Sequence, residues 1–391
     1  MEELLCYVKK LNINSELLTS CNINLLTIND IKVIKDLQDD WKLQIKISIE
    51  YDILYDKLYI GPYYAVPDDY KKMFLVLSFC KSIGILKSDK KEVQEYVKAI
   101  KILDTALMIG SGLEECDLLT DFTQKVHDYI VKSHKVDLVD RIPEEQLQTS
   151  QNDCDIDSIS QPSIEHFMTK YFNFHQPVKI LNSIHHWPAL YKWKDMNYFM
   201  TLAGYRTVPI ELGRTYDDDE WGQNLYKFGD FIKQYMNNKD HEQKAYLAQH
   251  DLFDQIPELS KDFTIPDYCA IGNQDPVIIK SWIGPKNTIS TMHTDDKHNF
   301  LCQVVGEKLI ILASPKDSEN LYPYEGLLNN TTQVDVENLD FEKFPNVKNV
   351  KFQKIILKAG ETLYIPKLHW HYVRSLTPSI SISFWFNCDE D

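Results

Sequence analysis

The sequence of 391 residues lacks any pair of cysteines spaced as Cys-x-x-Cys. This absence argues against a zinc ribbon. The cysteines are scattered along the chain, which is typical of reduced thiols in the cytosol or nucleus and not of a disulfide framework. They are Cys6, Cys21, Cys80, Cys116, Cys154, Cys269, Cys302 and Cys388.

Positive charge is also scarce, since 42 Lys and Arg stand against 58 Asp and Glu, for a net charge of −16. A chain this acidic is not expected to bind nucleic acid directly or to attach to an anionic membrane, although a local basic patch stays open. The charge favours a partner with a basic surface instead. A protein or peptide substrate with a basic segment, such as a histone, fits this description.

Long apolar runs and a basic N-terminal start are missing as well. The opening Met1-Glu2-Glu3-Leu4-Leu5 predicts neither a signal peptide nor a membrane span, so we expect an intracellular protein, nuclear and/or cytoplasmic. What the chain does have is 43% hydrophobic and 12% aromatic residues. This content is enough for two or three globular domains with buried cores.

Apolar residues recur with helical periodicity in the N-terminal part, which predicts an all-helical domain over residues 1–142. A stretch rich in Glu, Gln, Ser and Asp then predicts a flexible linker over 143–161. The interpretation favoured for the helical half is a scaffold or partner-docking module without chemistry. The predicted helices are Glu2–Leu11, Asn29–Asp40, Asp68–Ile85, Lys90–Met108 and Leu118–Ser133.

Residues 162–391 form the third predicted segment, in which short strand-like runs are separated by turn signals. In the last run, Ile380, Ile382 and Phe384 alternate with serines, as expected for a strand with one face on a core. Such strands indicate a jelly roll or small barrel, and the fold class is therefore α+β. The predicted strands are Val277–Ile283, Phe300–Val305, Leu309–Leu312, Lys354–Leu357, Thr362–Ile365 and Ser379–Phe386.

Two imidazoles and a carboxylate occur late in the chain, as His293 and Asp295 in a His-x-Asp motif and then His371. This trio is the ligand set of non-haem Fe(II) oxygenases, in which the remaining coordination sites stay open. The pattern is weak by itself, and His369 would face the same way as His371 on an ideal strand. His298 is a weaker alternative, interpreted as a loop histidine.

The stretch Ser163–Phe386 resembles a Jumonji-C domain, and more closely one member of that family. The resemblance implies a double-stranded β-helix of the cupin-like type and an Fe(II)- and 2-oxoglutarate-dependent dioxygenase. Its Trp370-His371-Tyr372 context favours His371 over His369. The runs that carry it are His175-Gln176-Pro177-Val178-Lys179-Ile180, Trp187-Pro188-Ala189, Ala245-Tyr246-Leu247-Ala248-Gln249-His250, Phe253-Asp254-Gln255-Ile256-Pro257-Glu258-Leu259, Gln333-Val334-Asp335-Val336-Glu337-Asn338 and Trp370-His371-Tyr372-Val373-Arg374.

The resemblance implies that His293, Asp295 and His371 bind Fe(II), with 2-oxoglutarate and O₂ as co-substrates. It also implies that 2-oxoglutarate is bound by Lys308, Tyr246, Ser290 and Asn299. The residues themselves support Lys308, because it follows the Gly306 turn, opposite the Asn299–Val305 strand, in so apolar a run that an inward ammonium would require an anion. The competing interpretation is an outward lysine on a solvated face.

Three further residues are candidates for substrate binding: Glu211, Trp221 and Trp282. A carboxylate and aromatic faces suit a guanidinium, and in the similar family member these positions line an arginine pocket. The predicted reaction is hydroxylation of an arginyl residue in a protein. Alternatives are histone methyl-lysine demethylation and a non-catalytic binding module. Two further alternatives stay open: the two tryptophans could pack in the core, and the acidic run over residues 217–220 could be only a solvated loop.

Overall fold

The computed structural model describes residues 41–58, 66–86, 92–114, 116–134, 137–139, 155–213, 222–236 and 244–388. The predicted helices Glu2–Leu11 and Asn29–Asp40 lie outside these ranges. So do Trp221 and the acidic run 217–220.

The described N-terminal ranges contain four helices: α1 Trp41–Leu58, α2 Asp68–Leu86, α3 Val93–Ile109 and α4 Cys116–Ser133. The last three confirm predicted helices to within three residues at each end. Helix α1 was not predicted, because its exposed face carries the apolar residues Trp41, Ile45, Ile49 and Ile53, which blur the amphipathic pattern. Apolar residues of all four helices share one core.

The remaining described residues form a strand-rich domain with short helices. The short helices are α5 Ile164–Phe167, α6 Ala189–Lys192, α7 Met196–Ala203, α8 Phe228–Phe231 and α9 Leu252–Gln255. The strands are β1 Ser158–Ser160, β2 Val178–Leu181, β3 Thr207–Leu212, β4 Gly222–Lys227, β5 Ala245–His250, β6 Ile278–Gly284, β7 Ile289–His293, β8 His298–Val305, β9 Glu307–Ala313, β10 Gln353–Lys358, β11 Thr362–Ile365, β12 Trp370–Ser375 and β13 Ser379–Phe386.

These strands build two sheets. The major sheet has the order β1-β2-β11-β8-β13-β6-β5-β3-β4, and the minor sheet has the order β10-β9-β12-β7. From β6 to β9 and again from β10 to β13, the chain passes back and forth between the sheets. This winding is that of a double-stranded β-helix, so the predicted α+β fold with a cupin-like barrel is confirmed.

Three details of the sequence prediction need correction. Residues 155–161 of the predicted flexible linker are ordered, because β1 forms the edge of the major sheet by pairing in parallel with β2, which a polar composition does not reveal. The linker residues 143–154 lie outside the described ranges. Strands β8 and β9 are not paired with each other, since β9 pairs with β10 and β12. The serine face of β13 is buried like its apolar face, because it points into the barrel.

The turn between β8 and β9 carries the chain from the major sheet to the minor one. Gly306 in this turn has a φ of +75°, and a Cβ there would lie 2.2 Å from the carbonyl oxygen of Pro378. Both constraints require glycine, because an L side chain is strained at this φ and would collide with the backbone. Lys308, two residues after this glycine, is buried.

Cysteines and long helices can be examined only within the described residues. Five cysteines lie in the described ranges, and each is a free thiol: Cys80, Cys116, Cys269, Cys302 and Cys388. None of the helices in those ranges has the length and apolar character needed to cross a bilayer.

A fully buried ion pair joins the helical region to the strand-rich domain. Arg206, just before β3, donates from Nη2 to Oδ1 of Asp104 on α3 at 2.7 Å and from Nε to the same oxygen at 3.0 Å. The backbone N–H of Thr207 donates to the other carboxylate oxygen at 2.6 Å. Arg206 also donates to Gln124 Oε1 at 2.9 Å and to the carbonyl of Gln255 at 2.8 Å. These hydrogen bonds connect the helical region to the start of β3.

We predict that Asp104→Ala destabilises the protein by about 3–5 kcal/mol, because it leaves the buried Arg206 guanidinium without its counter-charge. The measurement is urea-induced unfolding of the whole chain, followed by tryptophan fluorescence. Asp121→Ala is the matched control, since Asp121 forms an exposed 3.3 Å ion pair with Lys125 that should contribute less than about 1 kcal/mol. Equal losses in the two variants would contradict the prediction.

Candidate active site

The antiparallel pairing of β7 with β12 brings two of the predicted metal ligands together. In this register His293 lies directly opposite His371, and their ring centroids are 4.2 Å apart. Asp295 completes the group, with Oδ1 3.8 Å from His293 Nε2 and Oδ2 3.6 Å from His371 Nε2. One ligand atom from each of the three residues lies within 4.8 Å of the others. A single divalent cation fits between them.

Backbone carbonyls set the tautomer of both imidazoles. His293 Nδ1 lies 2.7 Å from the carbonyl oxygen of Thr291, and His371 Nδ1 lies 2.9 Å from that of His369. Because a carbonyl oxygen only accepts hydrogen bonds, each Nδ1 must carry the proton. Each Nε2 is then free to act as a ligand, as is usual for metal-binding histidines. Burial and the neighbouring His293 lower the pKa of His371 to about 4, so its ring is neutral at pH 7.

His369 and His298 stay outside this group. His369 precedes β12, in a turn where Leu368 has a φ of +62°, so the alternation of an ideal strand does not reach it. His298 is not the loop histidine that the sequence suggested. It begins β8, is fully buried, and its Nδ1 lies 2.9 Å from the hydroxyl of Tyr364. Histidines spaced for coordination and histidines of the core look alike in sequence.

A narrow cavity of the barrel begins at the three ligands and contains most of the other predicted site residues. All four residues predicted to bind 2-oxoglutarate line it, as does Trp282. The lining consists of Tyr246, Trp282, Ser290, His293, Asp295, Asn299, Leu301, Lys308, Ile365, His371, Val373, Ser383 and Trp385. Residues that lie far apart in the sequence therefore meet at one site.

Lys308 is the main electrostatic feature of this cavity. It is 1% exposed, which excludes the outward orientation. Within the described residues its ammonium donates one hydrogen bond, to the Tyr246 hydroxyl at 3.2 Å, and no carboxylate lies within ion-pair distance. Burial alone lowers the pKa of Lys308 to about 7. An anionic ligand would restore the charged form, because an opposite charge favours the ammonium.

The groups around Lys308 fit a dicarboxylate that reaches from the metal ligands into the barrel. Burial and the nearby Glu211 raise the pKa of Tyr246, so its hydroxyl keeps its proton and can donate. Ser290 is nearly buried, and the side-chain oxygen of Asn299 is buried without a hydrogen-bond partner among the described residues. A cation and neutral polar groups in an otherwise apolar cavity suit a carboxylate.

Sequence reasoning missed Trp385 and Ser383, which lie on the serine face of β13. Trp385 is 8% exposed, and its indole N–H has no partner among the described residues. Ser383 accepts a hydrogen bond from the indole N–H of Trp282 at 2.9 Å. The strict alternation of β13 was the available signal, since in a closed barrel the second face of a strand lines the interior.

Glu211 lies beside the cavity and does not line it. In β3 it stands directly opposite Tyr246 of β5, and directly opposite residues point to the same face of a sheet. Trp282 is half-buried, with its ring centroid 5.9 Å from that of Tyr246. The carboxylate and one of the two predicted aromatic residues are therefore near the cavity, whereas Trp221 lies outside the described residues.

The fold and the site together define a class of protein, the cupin-like JmjC oxygenases. The chain belongs to the cupin-like domain family, which matches residues 164–391. It is 42% identical over 342 residues to Jumonji C domain-containing protein 5 of Drosophila melanogaster, an alignment that covers 85% of this chain and 84% of that protein. It is 37% identical over 363 residues to Lysine-specific demethylase 8 of Danio rerio, covering 88% and 87%.

A more distant relative is the bifunctional peptidase and (3S)-lysyl hydroxylase of Homo sapiens, which is 24% identical over 264 residues and covers 59% of this chain and 83% of that protein. Membership of this family makes the chain a 2-oxoglutarate-dependent oxygenase. JmjC cupins generally use Fe(II) with 2-oxoglutarate. The alternative of a non-catalytic module is left without support.

We predict that His293→Ala and Asp295→Ala each abolish Fe(II)-dependent turnover of 2-oxoglutarate while the chain stays folded. A ligand at an open site contributes more to metal affinity than to packing. Anaerobic calorimetric titration with Fe(II) measures the binding, and circular dichroism checks the fold. His369→Ala is the control and should still bind the metal. Full activity in either ligand variant, or loss of metal in the control alone, would overturn the assignment.

Proposed function

We propose that this oxygenase hydroxylates an arginyl residue of a protein or peptide substrate, using Fe(II) and 2-oxoglutarate. The observation that carries the arginine assignment is a carboxylate, Glu211, on the same sheet face as Tyr246 and next to the co-substrate cavity. The proposed metal ligands are His293, Asp295 and His371. We propose a nuclear and/or cytoplasmic location, as for enzymes that modify intracellular proteins.

Once bound, Fe(II) would supply the oxidising power: one atom of O₂ would enter succinate as 2-oxoglutarate loses CO₂, and the other would convert a substrate C–H to C–OH. The protein holds the reactants in place. His293, Asp295 and His371 would offer three ligand atoms to the metal, which would leave its other coordination sites for the reactants. The two carbonyl-bound Nδ1 protons keep both rings in orientation.

Lys308 would bind the distal carboxylate of 2-oxoglutarate, with Tyr246, Ser290 and Asn299 around it. These residues lie along the same cavity as the three ligands, so a co-substrate chelated at one end can be anchored at the other. Because the cavity is mostly apolar, the ammonium and the carboxylate attract each other more strongly there than in water. Trp385 offers one further N–H donor to the same ligand.

Glu211 and Trp282 favour a guanidinium as the group that is held near the metal. A carboxylate accepts two parallel hydrogen bonds from a guanidinium, and an aromatic face adds cation–π attraction. Methyl-lysine would suit an aromatic cage, and a carboxylate without a hydrogen-bond donor would be disfavoured beside it. The substrate carbon that is hydroxylated would belong to the aliphatic part of the arginine side chain.

The second candidate function is histone methyl-lysine demethylation. It is favoured by the name of a relative, Lysine-specific demethylase 8 of Danio rerio. The two reactions give different products, since hydroxylation adds one oxygen to an arginyl peptide and demethylation releases formaldehyde from a methyl-lysyl peptide. Mass spectrometry of matched peptides after incubation with Fe(II) and 2-oxoglutarate separates them.

We predict that Lys308→Met raises the KM for 2-oxoglutarate about a hundredfold or more, since loss of one partner of a buried charge pair costs about 3–5 kcal/mol. Methionine keeps the volume of the side chain and removes its charge. The measurement is succinate formation at saturating peptide, and Lys351→Ala removes an exposed lysine as a control. An unchanged KM in Lys308→Met would show that another cation binds the co-substrate.

The same lysine predicts a pH dependence. With its pKa lowered to about 7 in the free protein, the ammonium is charged below that pH and neutral above it. Binding of the 2-oxoglutarate dianion at higher pH must therefore take up a proton. The KM for 2-oxoglutarate should rise above pH 7 by up to about tenfold per pH unit, and it should not show this rise in Lys308→Met. A falling wild-type KM would contradict the argument.

We predict that Glu211→Gln weakens binding of an arginyl peptide by about 1.5–3 kcal/mol, the usual range for hydrogen bonds to charged groups. The KM for 2-oxoglutarate should be nearly unchanged. Replacing the target Arg of the peptide by Lys should have a similar effect, because an ammonium cannot form the two parallel bonds. Glu95→Gln, a change in the first turn of α3, is the control.

The arginine proposal fails if methyl-lysyl peptides release formaldehyde, no arginyl peptide gains oxygen, and Glu211→Gln has no effect on either reaction. That result would promote the demethylase.

A further inference from the structure

A second and much larger cavity lies between the helical region and the strand-rich domain. Its volume is about 680 Å³, within the range of ligand pockets. One wall is built by the C-terminal end of α3, the first turn of α4 and the chain between them. The other wall consists of β3, β4 and the segment from β5 to α9. No residue of the proposed active site lines this cavity.

A row of three neighbouring side chains across the sheet connects this cavity with the active site. Gln223 on β4, which lines the cavity, is directly opposite Glu211 on β3. Glu211 is in turn directly opposite Tyr246 on β5, which lines the co-substrate cavity. Because directly opposite residues in antiparallel strands share a face, all three lie on one face of the sheet. Glu211 therefore stands between the two cavities.

Four acidic side chains line the large cavity: Glu114, Asp117, Asp251 and Asp254. Asp251 is paired with Lys280 at 2.5 Å, whereas the other three form no ion pair among the described residues. No Lys or Arg of the described ranges is part of the lining. Burial lowers the pKa of the lining histidine His250, which disfavours its charged form. The lining of the cavity therefore carries a net negative charge.

Apolar side chains accompany this charge. Met108 lies on the helical side, and Leu225 and Phe253 lie on the side of the strand-rich domain. Lysine and arginine side chains combine a long aliphatic stem with a charged end, and they pack the stem on apolar surface while the charge stays near water or a carboxylate. An apolar wall with exposed carboxylates such as Asp117 and Asp254 matches such a side chain.

We propose that this interdomain cavity is a second substrate subsite, which binds a Lys or Arg side chain flanking the residue that is oxidised. The inference rests on the proposed function in taking a peptide as the substrate and in placing its target residue near Glu211. Pro209 lines the cavity two residues from Glu211 in β3, and two strand residues span roughly 7 Å. An extended substrate with its target at Glu211 thus brings residues two to four positions away to the cavity.

The test is fluorescence anisotropy with the full chain, loaded with Fe(II) and 2-oxoglutarate under anaerobic conditions so that no turnover occurs. The probe is a fluorescein-labelled peptide of 13 residues with a central Arg, Lys two and four positions away on both sides, and Ser and Gly elsewhere. A second peptide has Gln in place of every Lys. A third keeps the lysines and has citrulline in place of the central Arg.

The wild-type protein should bind the Lys peptide more tightly than the Gln peptide. The double variant Asp117→Asn/Asp254→Asn should weaken binding of the Lys peptide about five- to twentyfold, from a few-fold per partly exposed charge, and binding of the Gln peptide less than twofold. Asp121→Asn/Asp267→Asn removes two exposed charges outside the cavity and should leave both affinities within about twofold.

The proposal is overturned if wild-type protein does not distinguish the Lys and Gln peptides, if the cavity variant keeps the full distinction, or if the control variant loses it equally. The citrulline peptide tests the arginine assignment separately. If citrulline costs no affinity but the lysines still do, the arginine assignment fails and the subsite stands. If citrulline weakens binding and the lysines do not matter, the reverse holds.

Discussion

The buried ammonium of Lys308 is the constraint on which the catalytic half of the structure depends. It lies at 1% exposure in an otherwise mostly apolar cavity, with a tyrosine hydroxyl as its hydrogen-bond partner. A buried charge carries a large desolvation penalty unless an anion accompanies it. The burial that lowers its pKa is therefore also the reason for its selectivity, because only a ligand that brings a carboxylate to that depth relieves the cost.

The position of Lys308 relative to the proposed metal ligands follows from sheet topology. Strand β12 lies between β7 and β9, so His371 has His293 on one side and Leu312 on the other. Lys308 pairs with Ser375 at the far end of β12, four residues from His371. Four residues of strand span roughly 13 Å. The pairing of the strands thus sets the separation between the end of the cavity at the three proposed metal ligands and its cationic end.

The sequence singled out residues that the fold brings to one cavity, whereas parts of the fold itself were missed. His293, Asp295, His371 and Lys308 could be found because their types are unusual in their surroundings and the family motif surrounds them. Trp385 was missed, because nothing local distinguishes an indole that lines a cavity from one in a core, and only the alternation of β13 indicated that its second face lines the barrel. Helix α1 was missed because its exposed isoleucines obscure its periodicity. The pairing of β9 with β12 was missed because strand neighbours are decided by contacts distant in sequence.

The helical region contributes more than the scaffold role assigned from its sequence. Asp104 of α3 binds both the Arg206 guanidinium and the N–H of Thr207, the first residue of β3. Gln255, whose carbonyl accepts from Arg206, also donates to the carbonyl of Thr207 at 2.7 Å. Strand β3 is thus held at its start by a buried charge from the helical region. Arg206, which binds that charge, precedes Glu211 by five residues. A shift of α3 would move the start of this strand, and with it the carboxylate proposed to select arginine. The proposed specificity of the barrel would therefore depend on the helical region through this ion pair, and the acidic cavity lies beside it.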